Sequence, residues 1–188
     1  MRIEAVLMTG GKSSRMGTDK SRLLFDGEPL AARMVRLLSE VTEKVTVLGR
    51  EPTPGSVFVE DKSTFAGPLV ALAGFVPEAR TVFLASCDLP HFDPKLVTFL
   101  VKRIESHPSI IAVVPSIDHH LQPLAALYRT EAFDMISTVH AEGRDSMMSW
   151  LETLWVERIE ESELYAEGID PTSLKSVDTP EAWAKTVK

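Results

Sequence analysis

The sequence predicts an α/β fold: a three-layer α/β/α sandwich on a mostly parallel sheet. Three observations predict it. Short apolar runs alternate along the chain with longer amphipathic ones, as strands alternate with helices. The first apolar run, Ile3 to Met8, stops at the Gly10-Gly11 pair. A later one, Thr81 to Ala85, stops at Ser86-Cys87-Asp88-Leu89-Pro90. In open parallel sheets ligands sit beyond the carboxyl ends of the strands. The loops after Met8, Leu48, Val59 and Ala85 are therefore expected on one rim.

Each element has a local reason. Ile3 to Met8 is short and apolar, a buried strand. Pro29 begins a helical stretch to about Val41, with Leu30, Met34, Leu37, Leu38 and Val41 on one face. Val45 to Leu48 reads as the second strand, and Val57 to Val59, after a Pro/Gly loop, as a short one. Gly67-Pro68 starts a helix to about Val76. After the strand Thr81 to Ala85, Asp93-Pro94 is a helix start, and the helix should run from Pro94 to about Ser106. Ile110 to Val114 and Pro123 to Tyr128 are strands joined by a polar loop carrying His119 and His120. Thr130 is expected to cap a helix to about His140. Gly143 to Asp145 breaks the chain before an apolar helix, Ser146 to Leu154. Trp155 to Ile159 is a late strand, and Thr179-Pro180 caps the last helix.

Composition narrows the classes. At 188 residues the chain is expected to form one domain spanning 1–188, without internal repeat or linker. Hydrophobic residues make up 44% and charged residues 25%, ordinary for a soluble protein. Cys87 is the single cysteine, which excludes an internal disulfide framework and a cysteine-based zinc cluster and suits a reducing cytoplasm. The N-terminus is too short and acidic for a signal peptide, and no apolar run approaches the ~20 residues of a membrane helix. The net charge of −7 argues against nucleic acid as a partner. Against that background Lys12, Arg15, Lys20 and Arg22 face one nearby acid, Asp19, which points to a confined anion site.

The glycine-rich loop fits neither of two familiar phosphate-binding patterns. A Walker loop ending at Gly11-Lys12-Ser13 needs glycine where Val6 stands, and Gly10, Gly11 and Gly17 do not form G-x-G-x-x-G. Its physics still suits phosphate. Gly10 and Gly11 let backbone N–H groups approach an anion. Arg15 can fork onto phosphate oxygens, and Lys20 supplies a point charge. Asp88, at the mouth of the sheet, suits a magnesium ion held against phosphates, or equally a turn before Pro90. Cys87 has no partner base nearby and reads as a small buried residue. His119 and His120 read as exposed.

The segment Met8-Thr9-Gly10-Gly11-Lys12-Ser13-Ser14-Arg15-Met16-Gly17-Thr18-Asp19-Lys20 resembles the N-terminal signature of the molybdenum cofactor guanylyltransferases. The likeness continues through Leu23 to Leu30, through Asp61 with Gly67-Pro68-Leu69, through Cys87-Asp88-Leu89-Pro90, and to Asp178-Thr179-Pro180-Glu181. It implies a Rossmann-like fold of the nucleotide-diphospho-sugar transferase type. It implies that Met8, Thr9, Gly10, Gly11, Lys20, Asp61, Gly67 and Asp88 bind nucleotide, that Arg15, Lys20 and Asp88 act in catalysis, and that Mg²⁺ sits on Asp88, with Asp178 a candidate second carboxylate. Asp178 also suits a plain helix start.

The implied reaction transfers GMP from GTP to the phosphate of molybdopterin, or its molybdenum-loaded form, and releases pyrophosphate. Molybdoenzymes or cofactor carrier proteins are then the implied receivers of the product. A molybdopterin cytidylyltransferase, another small-molecule nucleotidyltransferase and a non-catalytic nucleotide-binding module are the alternatives; Lys20 and Asp88 together argue against the last. Two positions depart from the family pattern. Thr9 stands where alanine is common, and Gly49 where many guanylyltransferases have a nucleotide-contacting asparagine. Backbone groups or Arg50 then serve in its place, or the base differs.

Overall fold

The computed structural model describes residues 2–10, 19–63, 67–177 and 179–186. Its main sheet starts with β1 (Ile3–Met8), β4 (Lys44–Gly49), β5 (Val57–Glu60) and β6 (Thr81–Ser86). It continues with β7 (Ala112–Ile117), β8 (His120–Leu121), β9 (Ala125–Arg129) and β10 (Val156–Ile159). The spatial order is β10-β7-β9-β6-β1-β4-β5, with β8 paired to β7. Strand β1 lies parallel to both β4 and β6, and β5 and β10 are parallel to β4 and β7. β9 runs antiparallel to β6 and β7. The expected mostly parallel sheet is therefore present.

Side-chain alternation along β1 divides the core. Ala5 and Leu7 face one layer, with Met34, Val35 and Leu38 of α1 (Leu30–Ser39), Leu96, Leu100 and Ile104 of α3 (Lys95–Ser106), and Leu164 of α6 (Glu161–Ala166). Val6 and Met8 face the other. There they meet Leu69 and Leu72 of α2 (Pro68–Leu72), Ile136 and Val139 of α4 (Ile136–Ala141), and Met147, Trp150 and Leu151 of α5 (Met147–Leu151). This period of two on β1 and β6 is what a sheet covered on both faces requires. Glu4 interrupts the apolar run and is 1% exposed. Its Oε1 accepts the amides of Glu78 and Ala79, which ties the chain entering β6 to the foot of β1.

Several local expectations need correction. Thr130 does not cap a helix: its hydroxyl donates to the Ala79 carbonyl, and Thr130–Met135 is a 3-10 turn before α4. Helix α2 ends at Leu72, short of Val76, and α5 ends at Leu151. The strand expected from Ile110 lies at Ala112–Ile117, and Leu121 and His120 fold back as β8. Elsewhere the local chemistry acts as expected. The Asp93 carboxylate accepts the Lys95 amide at the start of α3, and Thr179 Oγ1 accepts the Ala182 amide at the start of α7 (Pro180–Thr186). The Asp26-Gly27 pair, both at positive φ, turns β2 (Leu24–Phe25) into β3 (Glu28–Pro29). Among the described residues no helix is long and apolar enough to cross a membrane.

Trp150 is fully buried, stacks on Tyr128 at 4.7 Å between ring centroids, and donates its indole N–H to the Ala132 carbonyl at 2.9 Å. Trp150→Ala is expected to lower stability by about 3–5 kcal/mol. Urea denaturation checks this, with the midpoint falling and the slope unchanged.

Candidate active site

The carboxyl ends of the parallel strands meet at one rim, and backbone hydrogen bonds continue past the strand ends. Thr9 N–H donates to Leu48 O at 3.1 Å, Asp61 N–H to Gly49 O at 2.7 Å, and Cys87 N–H to Met8 O at 3.3 Å. Because β9 is antiparallel, its entry also reaches this rim, where Ser86 N–H donates to Leu124 O at 2.9 Å. β1 sits where the strand order reverses, between β4 and β6, the place where such sheets bind ligands.

One half of the site is built on Asp88. Its Oδ1 takes the Ser86 hydroxyl at 2.5 Å, and its Oδ2 takes Lys20 Nζ at 2.9 Å. The side chains of Lys20 and Asp88 are 18% and 13% exposed. Lys20 opens a 3-10 turn, Lys20–Arg22, that Asp19 starts by accepting the Ser21 amide. Val177 N–H donates to Asp88 O at 3.1 Å, so the C-terminal segment also arrives here. A cavity of about 200 Å³ opens beside Asp88, lined by Ser86, Gln122, Pro123, Leu124, Leu174 and Ser176.

The other half is built on Asp61. Its Oδ1 accepts the Ser63 amide at 2.8 Å. Its Oδ2 lies over Gly10, so close that a Cβ on Gly10 would stand 3.2 Å from it. Leu48, Phe58, Glu60, Asp61, Val70 and Gly74 line a larger cleft of about 660 Å³ on this side. Thr9 and Gly49 lie between the two halves.

The expected site residues thus separate. Lys20 and Asp88 are in direct contact, Met8 joins their loop through its carbonyl, and Asp61 gathers with Gly10, Thr9 and Gly49. Gly67 opens α2 with φ 109°, a backbone that side chains rarely adopt; its nearest obstruction, Asp145 O, is 3.7 Å from a built Cβ. Gly11, Arg15 and Asp178 lie outside the described residues. Asp118 and His119, both at positive φ, form the turn between β7 and β8. His119 and His120 are exposed, and His120 Nδ1 lies 2.6 Å from the Asp118 carbonyl. Among the described residues no three His, Cys, Asp or Glu side chains converge as a metal cluster.

Ser86, the hydroxyl partner of Asp88, is a site residue that no motif in the sequence marks; its only signal is its place two residues before Asp88 at the end of β6. The support behind the loop is likewise unmarked in the sequence. Arg33 Nε donates to Pro90 O at 3.0 Å, its guanidinium lies 5.0 Å from the Phe25 ring centroid, and Phe25 meets His91 edge-on at 5.1 Å. The β2–β3 hairpin thereby braces the segment that follows Asp88.

Residues 5–159 match the family described as the MobA-like NTP transferase domain. A molybdenum cofactor guanylyltransferase of Burkholderia vietnamiensis is 33% identical over 165 residues, 79% of this chain and 80% of that protein. A probable molybdenum cofactor guanylyltransferase of Synechococcus elongatus is 29% identical over 195 residues, 97% of each chain. The crystal structure of molybdopterin-guanine dinucleotide biosynthesis protein A from Archaeoglobus fulgidus superposes with a TM-score of 0.82. It is 19% identical and matches 98% of this chain and 96% of that one.

Cys87, 6% exposed, is held neutral. Burial, and then the Asp88 and Asp19 carboxylates, push its thiol from 9.0 up to about 12. Below pH ~9 both folded and unfolded chains keep this proton, and stability does not depend on it. As the pH rises from 9.0 toward about 12 the unfolded chain releases it first, so stability falls. Cys87→Ala should flatten the alkaline decline by up to ~1.4 kcal/mol per pH unit, as read from denaturation midpoints. In the native protein at pH 8 the thiol should resist a disulfide reagent, and it should react in urea.

Proposed function

We propose that the chain, which belongs to the MobA-like NTP transferase family, transfers GMP from GTP to the phosphate of molybdopterin or its molybdenum-loaded form. The products are the guanine dinucleotide cofactor and pyrophosphate. The observation that carries this reading is the meeting of Lys20 and Asp88 at the switch point of the sheet, 2.9 Å apart and mostly out of solvent. The substrates follow those named for the related guanylyltransferases of Burkholderia vietnamiensis and Synechococcus elongatus.

The attacking group needs little activation. A phosphate monoester with a second pKa near ~6 is mostly dianionic at neutral pH, so no general base is required. What opposes reaction is the approach of two anions and the departure of a third. The exposed Gly10 presents its backbone toward the triphosphate, where N–H groups lower that cost without reorganising. Lys20 exchanges Asp88 for a phosphate oxygen as the triphosphate enters and carries its charge onto the reacting group. Ser86 holds Asp88 Oδ1 and fixes the orientation of the carboxylate through this exchange. The cavity beside Asp88 receives the pterin phosphate, with Gln122 and Ser176 as polar lining. Gly11, Arg15, Gly67 and Asp178 keep the nucleotide, catalytic and metal roles that the family resemblance implies.

Asp88 fits a magnesium ion: it is a hard anionic oxygen donor at a phosphate site, and Mg²⁺ takes one or two carboxylates with phosphate oxygens and water. When bound, the ion supplies neutralisation of charge on the phosphates and the leaving pyrophosphate. The lone buried cysteine suits a reducing cytoplasm. Molybdoenzymes or cofactor carriers would take the product.

Pyrophosphate release with GTP, Mg²⁺ and molybdopterin tests the reaction, and release with CTP alone would overturn the guanine assignment. Asp88→Asn and Lys20→Ala should each lower turnover by about 10²–10³-fold with an unchanged melting profile. Near-normal turnover in either variant would remove that residue from the mechanism. GTP at a hundred times its Kd should stabilise the wild type by ~2.7 kcal/mol in a thermal shift.

A further inference from the structure

The two departures from the family pattern, Thr9 and Gly49, meet in space. Parallel pairing of β1 with β4 sets Met8 beside Leu48, and the next step on each strand brings Thr9 beside Gly49. A Cβ built on Gly49 would fall inside the van der Waals sphere of Thr9 Oγ1, with Thr9 Cβ at 3.2 Å and the Gly10 amide nitrogen at 3.7 Å. The obstruction is the hydroxyl: the contact with Thr9 Cβ at 3.2 Å needs a shift of only a few tenths of an ångström. With the Thr9 side chain as it stands, its hydroxyl and a side chain at 49 compete for one volume. The Thr9 hydroxyl fills the volume that a residue-49 side chain would otherwise occupy.

That hydroxyl is placed to do more than fill space. Thr9 is half-buried at the rim, whereas Gly49 is buried beneath it. Gly10 follows, with Asp61 Oδ2 over its Cα and Gly49 Cα next to it. Neither Thr9 Oγ1 nor Asp61 Oδ2 has a hydrogen-bond partner within the described residues. The rim around Gly10 thus carries a hydroxyl, which donates and accepts, and a carboxylate oxygen, which accepts only. Asp61 lines the wider cleft, and Thr9 is half-buried at the rim between that cleft and Asp88. We propose that Thr9 is a specificity-determining residue of this chain: its hydroxyl replaces the side chain missing at Gly49 and hydrogen-bonds the nucleoside of the triphosphate next to Asp61. The proposal rests on the triphosphate reading of the site given above, and it adds which side chain recognises the nucleoside.

The test is a set of variants read by equilibrium binding of GTP and CTP with Mg²⁺, and of inorganic tripolyphosphate as a probe of the phosphate loop alone. Thr9→Val keeps the shape over Gly49 and removes the hydroxyl. It should weaken GTP by about 2- to 12-fold, the range of one hydrogen bond, and leave tripolyphosphate binding unchanged. Thr9→Ser should bind GTP as the wild type does. Gly49→Asn alone should bind GTP worst. Thr9→Ala/Gly49→Asn should bind better than Gly49→Asn, because removing the hydroxyl vacates the space for the new side chain. Should Gly49→Asn fail to fold, the double variant and Thr9→Val still decide the matter. Wild-type GTP affinity in Thr9→Val overturns the proposal, as does an equal loss of tripolyphosphate binding, which would make Thr9 a support of the loop. A wild type that binds CTP and not GTP refutes the guanine reading instead, and the same variants read on CTP then decide the role of Thr9.

Discussion

Every part of the candidate site depends on β1 being paired in parallel on both sides. β4 and β6 are joined to it by long stretches of chain, yet their ends come level with it: Met8 stands beside Leu48 on one side and Ser86 on the other. The hydrogen-bond ladder runs on past the strands, from Cys87 to Met8 and from Thr9 to Leu48. Those bonds bring Gly10, just past the end of β1, and the Asp88 segment to a common rim. A register shift of one residue would turn the β1 side chains to the opposite layers. Burial on both faces of β1 opposes such a shift, since Ala5 and Leu7 belong to one core layer and Val6 and Met8 to the other.

The charges at the rim are placed at some energetic cost. An ion pair removed from most of its water loses hydration that mutual attraction only partly returns. Lys20 and Asp88 are held in that state, with Ser86 completing the carboxylate. Such an arrangement adds little to stability but suits a site where an incoming polyanion takes over the cation. It contrasts with the surface pairs, such as Arg36 with Glu28 and Lys44 with Glu78, which remain hydrated and contribute modestly. Behind Asp88, apolar and cation–π contacts do the bracing. Phe25, Arg33 and His91 hold the β2–β3 hairpin against the loop.

The two halves of the site differ in size and in what lines them. At Asp88, Lys20 and Ser86 meet the carboxylate beside a small cavity whose walls are mostly apolar, with Leu89, Pro123, Leu124 and Leu174. Around Asp61 the cleft is wider, and Leu48, Phe58 and Val70 border it together with Glu60, Lys62 and Ser63. Thr9 stands at the junction, one residue beyond a strand whose end serves both halves.

What the sequence by itself determined was local. Alternating apolar runs specified the strands and helices, Gly67-Pro68 and Asp93-Pro94 carried their helix-start chemistry, and the glycine loop with Cys87-Asp88-Leu89-Pro90 marked the expected ligand rim. Helix ends were less legible: Thr130 has the chemistry of a cap, yet its hydroxyl bonds a carbonyl fifty-one residues away. Only the tertiary structure decided which distant residues meet. Lys20 and Asp88 are sixty-eight residues apart, the C-terminal Val177 reaches Asp88, and Thr9 fills the space above Gly49. The physical reason is the same in each case. Propensity and periodicity act over a few residues, whereas strand order and register in a parallel sheet are set by long-range pairing and by burial of both faces. Thr9 and Gly49, two separate oddities along the chain, became one complementary pair only when β1 and β4 lay side by side.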